Sequence, residues 1–183
     1  METGGITAEK QREVILTCLD VFTSKGLINT TSRDLSAALN LQNAGIYYYF
    51  KSKDDLVVAC AEEAAMQLER VLIPLQEDLN DLDNVTKTLQ KKCDLMAPKM
   101  KFLAQTFTVD KYREQLKPLL DAMSQRYREY AEAFAERFGR EFDEVAPYIY
   151  MGITAATDYM IFGDASYIKS QFDLLKKHLK AEK

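Results

Sequence analysis

The chain has 183 residues, with 24 Lys and Arg against 28 Asp and Glu, a net charge of −4. That balance excludes a general polyanion-coating protein, and 47% hydrophobic with 28% charged residues excludes wholesale disorder. Seven Gly and four Pro are too few to punctuate a strand-rich chain, so a mostly helical fold is expected.

Residues 1–6 read as a short disordered lead without the basic segment or apolar run of a secretory signal. From Thr7 the pattern is helical. Val14, Ile15, Cys18, Leu19 and Phe22 form one stripe, and Lys25-Gly26 supplies a stop. After the connector Leu27-Ile28-Asn29, Thr31-Ser32-Arg33-Asp34 matches a capping box, in which hydroxyl and carboxylate satisfy each other's backbone N–H. Leu35, Ala38 and Leu39 follow as the apolar side of a helix of barely two turns. Asn40, a residue that tolerates the left-handed conformation, ends it. A second short helix is expected over 42–49, with Ile46 and Phe50 inward. Ser52-Lys53-Asp54-Asp55 then opens a long helix with Leu56, Cys60, Ala64, Leu68, Val71 and Leu75 on one side. Two short helices joined by a turn and braced by longer ones suit a helix-turn-helix, although periodicity alone does not show DNA.

Two stretches here carry a more specific signal. Thr30-Thr31-Ser32-Arg33-Asp34-Leu35-Ser36 and Ile46-Tyr47-Tyr48-Tyr49-Phe50-Lys51-Ser52-Lys53-Asp54-Asp55-Leu56 resemble the opening and exit of the helix-turn-helix in the TetR family of bacterial transcriptional regulators. The resemblance covers roughly residues 7–68. It departs from the family pattern at Asn40, where Gly is usual, at Gln42, where Ser or Thr is usual, and at Gly45, where a hydroxyl often meets phosphate. The implied fold is all-α, with a three-helix helix-turn-helix domain over 7–55 and a helical bundle over 56–183 for ligand binding and dimerisation. The implied DNA-binding residues are Thr31, Arg33, Gln42, Asn43, Gly45, Tyr47, Tyr48 and Lys53. Arg33, Lys51 and Lys53 against Asp34 make 31–53 a basic tip of net +2 on an acidic chain. Lys53 and Thr31 suit phosphates, and the amides Gln42 and Asn43 suit base edges. The bland alternative for each is an ordinary surface side chain.

Beyond residue 80 the pattern is helical throughout. Leu116, Leu119, Met123, Tyr127, Tyr130, Phe134 and Phe138 form the stripe of a bundle helix. Met96, Met100, Phe107, Tyr112, Met123 and Tyr127 are candidates for lining an apolar pocket, with plain core packing as the alternative. Residues 145–162 are apolar nearly all round, which calls for burial, and Ile168, Phe172, Leu175 and Leu179 stripe the last helix. The resemblance makes these last two helices a homodimer interface, here assigned to Tyr148, Gly152, Ala155, Ala156, Tyr159, Ile168, Phe172 and Leu175.

Cys18 and Cys60 read as small core residues, whereas Lys91-Lys92 before Cys93 would lower its pKa. No paired-ligand spacing, Gly-rich phosphate loop or nucleophile elbow occurs, so no metal, cofactor or catalysis is expected. No apolar run reaches the length of a membrane span, and the expected location is the cytoplasm. The resemblance implies a ligand-responsive regulator, a repressor, that binds a palindromic double-stranded DNA operator as a homodimer and is released by a small-molecule effector. The competing reading is a protein–protein adaptor on the same scaffold, keeping Leu35, Leu39, Ile46 and Phe50 while losing base readout.

Overall fold

The computed structural model describes residues 7–42, 45–73, 81–164 and 166–180. The lead at 1–6, Asn43, Leu75 and the side chains of Phe172 and Leu179 lie outside the described parts. Among the described residues there are helices and no strand. They are α1 (Ala8–Lys25), α2 (Ser32–Ala38), a 3-10 helix (Gly45–Tyr48), α3 (Lys53–Leu72), α4 (Leu82–Phe107), α5 (Asp110–Gln115), α6 (Lys117–Phe138), α7 (Phe142–Phe162) and α8 (Ser166–Lys180).

The helix ends follow from local chemistry. The Thr7 hydroxyl accepts from the Lys10 N–H at 3.2 Å and starts α1. Gly26 ends it at φ +83°, a backbone conformation that L side chains rarely adopt, and its N–H reaches the Phe22 carbonyl. At the end of α2, Leu41 N–H donates to the Ser36 carbonyl and Asn40 N–H to that of Ala37. With Asn40 at φ +54°, this is a Schellman closure with Asn in the usual glycine place.

The fold divides into two compact units. The first comprises 1–67 with 101–117, and the second 68–100 with 118–183. Helices α3 and α4 therefore each pass from one unit to the other, and a contiguous 7–55 segment accounts for only part of the first.

In the first unit Val14, Cys18, Leu19 and Phe22 of α1 are buried, as are Leu35, Ile46, Phe50, Leu56, Val57 and Cys60. Phe22 stacks on Phe102 with ring centroids 5.2 Å apart. The short α2 turns Leu35 and Ser36 inward and leaves Ala38 exposed, a register one step from the expected stripe. In the second unit a core cluster joins Ala131, Phe134 and Ala135 of α6, Val145, Ala146 and Ile149 of α7, and Leu175 of α8.

The expected lowering of the Cys93 pKa is overturned. Burial, and secondarily the charge of Asp94, pushes this thiol up to about 11. Neighbouring positions on a helix point about 100° apart, so Lys91 and Lys92 do not share the inward side of Cys93. Burial likewise pushes Cys18 up to about 12 and Cys60 well above the ordinary thiol range. At pH 8, a native Cys93 should react with a thiol reagent roughly a hundredfold more slowly than a free cysteine, because thiolate is the reactive form. Labelling followed by intact mass before and after denaturation checks this; rapid native modification of Cys93 would contradict it.

Candidate nucleic-acid interface

The capping box at the entrance to α2 forms in full. The Thr31 hydroxyl accepts from the Asp34 N–H at 3.2 Å, and the Asp34 carboxylate accepts from the Thr31 N–H and hydroxyl, each at 2.8 Å. Lys25 at the end of α1 adds an ion pair to Asp34 at 2.5 Å. These contacts, Lys25 foremost and then the Thr31 backbone, hold the Asp34 carboxyl well below the usual carboxylate range. Asp34 is thus consumed locally, leaving Arg33 exposed beside it.

The far end of the motif returns to the same place. Ser52 opens α3 by accepting from the Asp55 N–H at 3.1 Å. The next residue, Lys53, extends its ammonium to the Thr30 carbonyl, adjacent to the capping threonine. The structure therefore brings Thr31 and Lys53 together, though they are far apart in the motif. Lys53 already has one acceptor, so only its remaining ammonium protons are available to a further anion.

Between these ends the expected α-helix over 42–49 is replaced, within the described residues, by a single 3-10 turn from Gly45 to Tyr48. Gly45 N–H donates to the Gln42 carbonyl at 2.7 Å. A Cβ on Gly45 would lie 2.8 Å from Leu41 Cβ, closer than real side chains come. The glycine that looked like a loss of a phosphate-binding hydroxyl is thus required by Leu41. Ile46 and Phe50 are buried as expected, Tyr49 is half-buried, and Gln42, Tyr47 and Tyr48 are exposed. Tyr48 meets the edge of Tyr49 at 5.1 Å between centroids. The exposed residues of the first unit thus include Thr31, Arg33, Gln42, Tyr47 and Tyr48, with Lys53 half-buried and Gly45 between them in the turn.

The sequence does not mark a second set of contacts on this unit. Asp54 takes both oxygens to Lys111 Nζ, at 2.7 and 2.8 Å, and accepts from the Tyr112 hydroxyl at 2.6 Å. Lys111, then Tyr112, lowers the Asp54 pKa. Burial and the neighbouring carboxylate raise that of Tyr112. The proton therefore stays on the phenol and the charge on the carboxylate. The Gln105 amide oxygen accepts from the Leu27 N–H at 2.7 Å. No spacing or periodicity links positions 50–80 residues apart.

The pocket candidates divide between the units. Phe107 and Tyr112 belong to the first, while Met96, Met100, Met123 and Tyr127 belong to the second. Met96, Met100 and Tyr112 are buried; Phe107, Met123 and Tyr127 are half-buried. Of the interface candidates, Ala155, Ala156, Ile168 and Leu175 are buried within the single chain, and Tyr148, Gly152 and Tyr159 are half-buried. Tyr148 stacks on His178 at 4.7 Å, and the Tyr159 hydroxyl donates to Asp94. Among the described residues, the large apolar side chains left exposed on these helices are instead Tyr150, Met151, Phe162, Tyr167 and Leu174. Among the described residues no cluster of His, Cys, Asp and Glu could hold a metal ion, and no helix is long and apolar enough to cross a membrane.

Residues 17–60 match the family model of bacterial regulatory proteins, tetR family. No curated protein matches the chain in sequence. Among solved structures it is similar to the TetR family transcriptional regulator PfmR from Thermus thermophilus, at 18% identity and a TM-score of 0.62, covering 93% of this chain and 98% of that one. It is also similar to the multidrug binding protein EbrR complexed with imidazole, at 16% identity and a TM-score of 0.60, covering 94% and 96%. A tetR-family transcriptional regulator from Streptomyces coelicolor matches at 14% identity and a TM-score of 0.62, covering 96% of this chain and 82% of that one. At these identities the structures show a shared fold: the chain has the all-helical fold of those proteins, and its residues 17–60 carry the sequence signature of the tetR family model.

Proposed function

We propose that the chain is a DNA-binding transcriptional regulator, a repressor, that binds a palindromic operator as a homodimer and is released by a small-molecule effector. The observation that carries the DNA reading is the meeting of Lys53 with Thr30, which sets an ammonium beside the Thr31 cap, two residues before the exposed Arg33 in the chain. Phosphate contacts of this kind, with Tyr47 among them, fix register, and Gln42, Asn43 and the exposed Tyr48 supply groove contacts. The acidic balance of the rest of the chain disfavours indiscriminate binding, so affinity has to come from a matched site.

Self-association is supported by apolar surface that the chain does not cover. Met151 and Phe162 lie eleven residues apart on α7, and Tyr167 and Leu174 seven apart on α8, spacings that keep each pair on one helix face. A two-fold interface would use these side chains, while Ala155, Ala156, Ile168 and Leu175 pack inside the subunit. In such a dimer the two reading elements would meet major grooves about one helical turn, or roughly 34–36 Å, apart. An effector acts only through a difference in affinity between DNA-competent and released states. Of the pocket candidates, Met96, Met100, Met123 and Tyr127, all in the second unit, are its proposed contacts.

Operator binding across a salt series tests the reading. One promoter fragment should be preferred, with affinity falling linearly in log salt as counterions return. Lys53→Ala should weaken cognate and scrambled fragments alike, whereas Asn43→Ala should change the ratio between them. No preference for any fragment at moderate salt would leave the adaptor reading in its place.

A further inference from the structure

The segment 101–117 is tied to both ends of the helix-turn-helix. At one end Gln105 holds the Leu27 N–H in the loop before α2. At the other, Lys111 and Tyr112 hold Asp54 in the first turn of α3. Asp54 follows Lys53 directly, and Lys53 is the residue whose ammonium meets the Thr30 carbonyl. A shift of Asp54 is therefore passed through one peptide unit to Lys53 and to the Ser52 cap.

An acidic residue in the first turn of a helix has a local role with the helix dipole and needs no distant partner. Asp55 behaves in that local way, pairing with Ser52 across three residues. Asp54 instead receives three hydrogen bonds from a helix more than fifty residues away in sequence. Two come from an ammonium and are charge-assisted. The third comes from a buried tyrosine, and Lys111 also lies over that ring, 4.8 Å from its centre. The three side chains form a closed polar contact with one donor anchored in the core.

We propose that Asp54, Lys111 and Tyr112 form a latch that holds Ser52 and Lys53 where Lys53 can meet the DNA backbone, making all three positioning residues for operator binding. The proposal rests on the DNA-binding reading above. None of the three needs to touch DNA, and release of the latch frees the start of α3 while leaving the core of the unit intact.

The test uses the full-length chain and the promoter fragment preferred by the wild type. Asp54→Asn and Lys111→Met should each lower affinity about tenfold, and the double variant should lose no more than either alone, as expected for partners in one interaction. Lys111→Arg should retain most of the affinity. Tyr112→Phe, which keeps the buried ring, should show a smaller loss and native helicity, separating the latch from a folding defect. The salt slope should fall by the same amount in Asp54→Asn and Lys111→Met, and by no more than in Lys53→Ala, because both act through the one phosphate contact of Lys53. Additive losses, a slope reduced in Lys111→Met but not in Asp54→Asn, as for a direct phosphate contact by Lys111, or wild-type affinity in both single variants would overturn the latch. Absence of any preferred fragment for the wild type would overturn the DNA reading and the positioning role with it. Wild-type binding with unaffected variants overturns the latch alone, so the two failures are distinguishable.

Discussion

Phe22→Ala is expected to lower the unfolding free energy by about 3–5 kcal/mol, the range for truncating a large buried aromatic side chain. Phe22 is fully buried, at 0% exposure, and its ring lies nearly parallel to that of Phe102, 18° between planes. The substitution removes the ring from water-free surroundings and strips Phe102 of its stacking partner, so transfer and cavity contributions both oppose folding. Phe22 also sits one turn before Gly26, whose N–H bonds to the Phe22 carbonyl, so the loss falls where α1 hands over to the helix-turn-helix. Set against a typical total of about 5–15 kcal/mol, the change should move the urea midpoint far down. Ile28→Ala is the matched control: the side chain is 89% exposed and should change stability by less than about 0.5 kcal/mol. A Phe22→Ala loss below about 1 kcal/mol would mean that the cavity collapses freely and the stack is not a main support.

Gly45→Ala is the second large effect, and here the sign decides between two physical accounts. Helix propensity alone favours alanine over glycine by about 1 kcal/mol. The added Cβ, however, would stand 2.8 Å from Leu41 Cβ, which is fixed to the backbone and cannot rotate away. Overpacking of this kind costs about 1–3 kcal/mol, and relief requires the turn between α2 and the 3-10 helix to open. The variant should therefore be less stable than the wild type in urea unfolding. On the DNA-binding proposal it should also bind the preferred promoter fragment more weakly, by roughly one to two orders of magnitude if the displacement is expressed in binding. A neutral or stabilised Gly45→Ala would show that the backbone at Leu41 yields and that the glycine is not required.

How much of this was legible beforehand depends on the range of the interaction. The Thr31–Asp34 box, the Asn40 turn, the stop at Gly26 and the inward Ile46 and Phe50 are set within three to eight residues of chain. Hydroxyl, carboxylate and glycine placed at those spacings have few other conformations open to them. The motif around them carried the resemblance that the family-model match over 17–60 reflects. The short reading element was legible as a helix but not as a 3-10 turn, because the deciding contact is a steric one between Leu41 and Gly45. Composition gave the wrong sign for Cys93: two preceding lysines suggested a lowered pKa, and burial raised it.

By itself, then, the sequence determined the helical class, the helix-turn-helix and its caps, since each depends on periodicity and on neighbours a few residues away. The tertiary structure decided which side chains those elements spend on one another. It placed Lys53 on Thr30 and Asp54 on Lys111 and Tyr112. It buried Ile168 and Leu175 inside the subunit while exposing Phe162 and Tyr167. An apolar stripe records that a helix face must be covered, but not by which partner. A charge records that a counter-charge is favourable, but not which one packing brings within 3 Å.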